Sequence, residues 1–240
     1  MKAFFYTLYL KGKLDIKSAE MLITYYLVPL MFFGVMGAVF TSINPESKET
    51  LIASMSIFAI TMGAFIGTPS GLLPYFSNDM RKTFKCAGIP LRTIVTTTLI
   101  SGFINLSIVS LIIYFVSPVA YSSEKPENIV IHFIGTAIFL LVSLMIGITL
   151  GLYTKSSSKL TMISQIVFLP SLMLSGIMFP ADMLPKPLEY FGYVFPATSA
   201  MKILTGQVND WGSYISLGAI FIITTALIVL RLRKYRYEDA

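Results

Sequence analysis

The chain has 240 residues, of which 55% are hydrophobic and 12% charged, and its mean hydropathy is +0.76; a soluble domain carries roughly 25% charged residues, so this composition excludes an ordinary soluble protein. A net charge of +6 with a pI near 9.3 is what orientation signals alone give a membrane protein, which removes the case for a nucleic-acid partner. A single cysteine, Cys86, excludes an internal disulfide framework.

Residues 1–20 begin with Phe4, Phe5, Tyr6, Leu8, Tyr9 and Leu10, followed by Lys11 and Lys13. They lack a small-residue cleavage site, so they do not read as a signal peptide. Rings interspersed with lysines predict a helix lying in the membrane interface. Six stretches free of Lys, Arg, Asp and Glu follow, at about 21–40, 51–77, 94–117, 129–153, 160–179 and 213–230. Backbone amides in hydrocarbon must pair within their own segment, so each stretch is predicted as a helix. The expected fold is therefore all-α and integral to the membrane, with six transmembrane helices in one domain spanning 1–240. Gly67, Pro69, Gly71 and Pro74 predict a kink or break near the end of the second stretch.

Between the second and third stretches lies a basic loop, residues 78–92. It reads as a short helix that starts at Asn78 or Asp79 and is ended by Gly88 and Pro90, with Cys86 among Arg81, Lys82 and Lys85. His132, near the start of the fourth stretch, reads as an interfacial polar residue. The segment 180–212 is semi-apolar and bracketed by Pro180, Pro185, Pro187 and Pro196. Its apolar run of Leu188, Tyr190, Phe191, Tyr193, Val194 and Phe195 is too short to span, which predicts a hairpin or short helix dipping into the outer leaflet.

Fourteen Lys and Arg residues fall in the amino-terminal segment, the second and fourth loops and the tail, against four in the remaining loops. Basic residues near a span resist translocation, so both termini are expected on the cytoplasmic side of the plasma membrane.

Chemistry is scarce. With one histidine, one cysteine and no acidic residue in the six stretches, neither intramembrane hydrolysis, a metal site nor ion-gradient coupling finds its residues. No phosphate-binding loop is present either, since Gly12-Lys13 is followed by Leu14 and position 7 is Thr7. Uphill movement of a substrate would need a nucleotide-binding partner contacting a cytoplasmic loop, and the second loop is the best candidate, with Phe84 as an apolar anchor among cations.

Two stretches resemble the membrane permeases of type-2 ABC transporters. One runs Pro170-Ser171-Leu172-Met173-Leu174-Ser175-Gly176-Ile177-Met178-Phe179-Pro180, followed by Met183, Leu184 and Pro185 and then by Phe195-Pro196-Ala197-Thr198. It is similar to the family's span ending in Ser-Gly-x-x-Phe-Pro, a short amphipathic helix and an aromatic-Pro-x-Thr turn. The other is the basic loop, in which Lys82, Thr83, Phe84, Lys85, Gly88 and Pro90 resemble the coupling loop, although the family more often has acidic residues and a Gly-Thr pair there.

The resemblance implies a permease subunit paired with an identical or similar one and bound to two ATPase subunits that hold ATP and Mg; this chain itself would carry no cofactor and no catalytic or metal-binding residue. It implies ATPase-coupling contacts at Arg81, Lys82, Thr83, Phe84, Lys85, Gly88 and Pro90. Structural or gating roles would fall to Ser175, Gly176, Phe179, Pro180 and Pro196. The expected function is ATP-driven export of an amphipathic drug, peptide or lipid-like substrate, and the alternative is a non-transporting membrane immunity or assembly protein.

Overall fold

The computed structural model describes residues 2–43, 47–178, 185–206 and 211–238. They form ten helices: α1 (Lys2–Lys17), α2 (Ala19–Ile43), α3 (Ser47–Phe76), α4 (Asn78–Cys86), α5 (Leu91–Tyr121), α6 (Ile129–Tyr153), α7 (Ser157–Met173), α8 (Lys186–Gly192), α9 (Pro196–Leu204) and α10 (Trp211–Glu238). Five of them, α2, α3, α5, α6 and α10, are long and apolar enough to cross a bilayer. The fifth predicted stretch is occupied by α7, whose 17 residues fall short of the roughly 20 that a straight span needs. The expected count of six therefore rests on α7, which ends where the chain turns at Ser175 and Gly176, the latter with φ of 84°.

The third helix is the centre of the bundle. Every residue of α3 from Leu51 to Thr61 is buried, and α2, α5, α6, α7 and α9 pack around it. On the outside, α2 exposes Ile23, Leu27, Met31, Val35, Val39 and Ile43, one every four residues, and α7 exposes Met162, Ile166, Leu169 and Met173. Such stripes are apolar surfaces at helical period, suited to hydrocarbon or to another membrane helix. The chain is a multi-pass membrane protein.

The predicted irregularity of the second stretch is present and has a specific form. Residues Gly63–Gly67 make a π-turn, Thr68–Leu72 return to α-helix, and Leu73–Phe76 tighten to a 3₁₀ turn. A second π-turn, Ile23–Leu27, lies in α2. In each case a proline stands two residues beyond the turn: Pro29 after Leu27, and Pro69 after Gly67. The residue before each proline gives its N–H to the carbonyl five residues back, Val28 to Ile23 and Thr68 to Gly63. Proline has no N–H to give, and widening the turn by one residue accommodates the lost donor without breaking the helix.

The two π-turns face each other. Tyr25 and Thr68 share a buried hydroxyl–hydroxyl hydrogen bond of 2.8 Å, and Thr68 Oγ1 also donates to the Gly63 carbonyl at 3.2 Å. A side chain at Gly63 would collide with Leu106 and Tyr25. On the other flank, a Cβ at Gly147 of α6 would land on the Ala64 carbonyl oxygen. That carbonyl lies opposite the donor Pro69 lacks, so α6 approaches the backbone of α3 where the helix ladder is open. Small residues permit this close approach in lipid. Gly147→Ala should lower stability by about 1–3 kcal/mol, read as a drop in the thermal unfolding midpoint in detergent. Gly34→Ala, where a Cβ meets nothing within 4 Å, should be neutral or slightly stabilising.

Candidate functional site

The end of the bundle that carries most basic residues is built from α1, α4, the 3₁₀ end of α3 and the last turns of α6 and α10. The short helix α4 forms where the sequence predicts it. Asp79 lies in its first turn, and its carboxyl-terminal end is closed by Gly88 at φ of 67°, with Ala87 N–H on Thr83 O at 3.0 Å and Ile89 N–H on Phe84 O at 2.9 Å. This is a left-handed cap that favours glycine.

The helix has two faces. Asp79, Lys82, Thr83 and Cys86 are exposed on one, and Gly88 and Pro90 are exposed just beyond. Arg81 and Phe84, three residues apart and half-buried, turn toward the chain's own elements. Phe84 packs against Tyr75 of α3, ring centroids 6.2 Å apart. The Arg81 guanidinium lies over the Tyr235 ring of α10 at 4.7 Å. The apolar anchor expected for a partner is thus engaged within the chain, because Tyr75 and the neighbouring core of α5 and α6 offer it a surface first. The side chain of Lys85 lies outside the described residues.

Tyr235 joins α4 to the bundle. Its hydroxyl donates to the Leu152 carbonyl of α6 at 3.1 Å, Arg231 Nε donates to the same oxygen at 3.1 Å, and an Arg231 amino group donates to the Tyr235 hydroxyl at 3.1 Å. The last carbonyls of a helix have no partner within it; here α10 supplies one for α6.

The amino-terminal helix is present as expected, and one part of its behaviour is new. Lys11 and Asp15 are 7% and 6% exposed and form a 2.9 Å ion pair. Asp15 also accepts a 2.6 Å hydrogen bond from Ser101, ten residues into α5. Lys11 Nζ lies 5.0 Å from the centre of the Tyr75 ring. Asn105 donates to the Ser101 carbonyl at 2.8 Å and accepts from Tyr26 at 2.7 Å, so a polar network runs from α1 through α5 to α2. The six uncharged stretches hold no carboxylate, as the sequence indicates, but α1 inserts one between α3 and α5. The only advance signal was the i,i+4 spacing of Lys11 and Asp15, which also describes any solvated helix pair.

At the opposite end, Ser175 is buried and donates to the Leu172 carbonyl at 2.9 Å. Pro196 opens α9 and is buried with Ala197, Thr198, Ser199 and Ala200. Thr198 donates to the Gly192 carbonyl at 2.7 Å. Phe179 and Pro180 lie outside the described residues. The buried short segment is therefore α9, packed on α6, α10 and α3, whereas α8 leaves Leu188, Tyr190 and Phe191 exposed; small residues in α9 and Gly135 in α6 let the two backbones close, a Cβ there meeting Ile203 at 3.0 Å. His132, in the first turn of α6, is 2% exposed and packed among the Tyr114 and Phe133 rings, 5.9 and 5.8 Å away.

Residues 5–208 match a family model described as ABC-2 type transporter, a span that takes in α2 to α9 and most of α1, and stops short of α10. No curated protein matches the chain.

Removing one partner of a buried ion pair costs about 3–5 kcal/mol, while replacing both by apolar residues is near neutral. Asp15→Ala should therefore destabilise the protein by that amount and open α1 to limited proteolysis, and the double variant Lys11→Met/Asp15→Leu should restore most of the loss in both assays.

Proposed function

The chain belongs to the ABC-2 type transporter family, and on that premise we propose that it is the permease subunit of an ATP-driven exporter, working as one of a pair with ATP hydrolysed by a separate subunit. The observation that carries this reading is α4. It is a basic helix held on its inner face by Arg81 on Tyr235 and Phe84 on Tyr75, with Lys82, Thr83 and Cys86 left exposed on its outer face. Inward contacts fix the helix to the bundle, and the outer face is available to a partner.

The nucleotide partner is inferred from the sequence, in which the only Gly-Lys pair is followed by Leu14 and no phosphate-binding loop occurs. In this scheme the coupling contact lies on Lys82, Thr83, Lys85, Gly88 and Pro90, and Arg81 and Phe84 transmit displacement to α10 and α3. With this end cytoplasmic, as the distribution of Lys and Arg favours, both termini face the cytoplasm at the plasma membrane and α7 is the sixth crossing. Ser175, Gly176, Phe179, Pro180 and Pro196 would shape the outward end of the path. Long apolar stretches that carry no Lys, Arg, Asp or Glu and are rich in Ser, Thr, Gly and Met suit an amphipathic substrate.

The decisive experiment is purification of the chain from its native membrane in mild detergent, with identification of associated proteins and an ATPase assay. Stoichiometric recovery of a nucleotide-binding subunit with vanadate-sensitive hydrolysis is the expected result; recovery of the chain alone, without hydrolysis, overturns the proposal in favour of a non-transporting membrane protein. In the assembled complex, Lys82→Glu with Lys85→Glu should abolish substrate-stimulated hydrolysis while membrane insertion and yield stay at wild-type level.

A further inference from the structure

The amino-terminal helix α1 is turned inside out. Its inner face buries the Lys11–Asp15 ion pair, while Tyr6, Tyr9, Leu10 and Leu14 are exposed on its outer face together with Lys13 and Lys17. Positions 6, 9, 10, 13, 14 and 17 keep the spacing i, i+3, i+4, i+7, i+8 and i+11, so they form one stripe along the helix, on the side away from Lys11 and Asp15. A surface helix in water has the reverse polarity, with leucines inward and charges out. None of the six residues takes part in the coupling contact proposed above.

The depth at which α1 sits accounts for the reversal. Asp15 accepts its hydrogen bond from Ser101, ten residues into α5, a rise of about 15 Å from the start of that helix. The 31 residues of α5 run about 46 Å, against roughly 30 Å of hydrocarbon. Centred in a bilayer, α5 leaves about 8 Å outside at each end, which sets Ser101 about 7 Å within. Interfacial amphipathic helices bury their apolar faces about 5–10 Å deep. Lys11 meanwhile lies beside the ring of Tyr75, the next-to-last residue of α3, so this part of α1 lies between the end of the bundle and that depth. With the pair held inward, the roll of the helix is set, and Tyr9, Leu10 and Leu14 are carried outward at the level of the lipid.

We propose that the outer stripe of α1 is a lipid-binding surface, seated in the leaflet at the α4 end of the bundle, with anionic phospholipid as its preferred partner. Rings and leucines occupy the boundary between headgroups and acyl chains, and the long side chains of Lys13 and Lys17 reach the phosphates from the same face. The Lys11–Asp15 pair is the positioning device that presents the stripe. The surface is independent of which subunit binds the outer face of α4.

The chain holds a single tryptophan, Trp211, so Trp211→Phe gives a dark background on which Tyr9→Trp reports from the stripe. Leu14→Trp repeats the reading from the same face should Tyr9→Trp lower the yield. The full chain, with any subunit that co-purifies, is reconstituted into vesicles of phosphatidylcholine and phosphatidylglycerol. Emission is then quenched from the lipid, with either component brominated near the carbonyl end of one acyl chain, and from water by iodide. Bromolipid should quench several-fold more strongly than iodide. Brominated phosphatidylglycerol should quench more strongly than brominated phosphatidylcholine at equal mole fraction, and that excess should vanish when Lys13→Gln and Lys17→Gln are added to the reporter. Quenching by iodide alone places the stripe in water, and quenching by neither places it under a second copy or another subunit; each result overturns the proposal. Equal quenching by the two bromolipids overturns the preference for anionic headgroups.

Discussion

In a bilayer, apolar side chains gain little by leaving lipid for one another, so helices are placed by close fit and by the few polar groups that need partners. The arrangement around α3 follows from that constraint. This helix is buried through most of its length, and its two nearest fixed points are polar or backbone contacts: the Tyr25–Thr68 hydrogen bond toward α2, and the approach of Gly147 to the Ala64 carbonyl on the side of α6. Both lie within one turn of Pro69. A residue that would break a water-exposed helix here opens the ladder locally, and the opened backbone becomes the surface on which two neighbours are registered.

The same constraint explains where charge is tolerated. Lys11 and Asp15 are buried only as a pair, with Ser101 satisfying one carboxylate oxygen and the Tyr75 ring lying beside the ammonium. Arg231 and Arg81 are likewise dressed by Tyr235 and by the orphan carbonyl at the end of α6. The aromatic residues at this end, Tyr75 and Tyr235, are therefore the joints: each touches α4 on one side and a buried cation or helix terminus on the other. Through the first, α4 is joined to α3 and to Lys11 of α1, and through the second to α6 and α10.

Much of this fold is legible in the sequence, and the rest is not for identifiable reasons. Uncharged runs mark the long helices because insertion in hydrocarbon is a local property of composition. The end of α4 is marked because Gly88 and Pro90 act on their own backbone. What escapes is anything decided by a distant neighbour. Lys11 and Asp15 look the same on a wet helix as on a buried one, and the turn of Phe84 toward Tyr75 depends on how α3 ends. Between two short segments before the last long helix, ring content favours the stretch around Tyr190 and Phe191, yet α9 is the one inside, its Ile203 and Leu204 seated against Gly135 of α6. The uncharged run reads on to Phe179, past the end of α7, for a similar reason: the side chains stay apolar while the backbone turns at Ser175 and Gly176.

The outer face of α4 also carries the chain's single thiol, Cys86, which is exposed. No cysteine has to be removed to make it unique. A maleimide reagent that does not cross the bilayer would therefore react at one known position, and its access from one side of a sealed vesicle would report the orientation of all ten helices at once. A fluorophore or spin label at the same sulfur would stand on the surface proposed for partner contact, turning the native sequence into its own docking sensor.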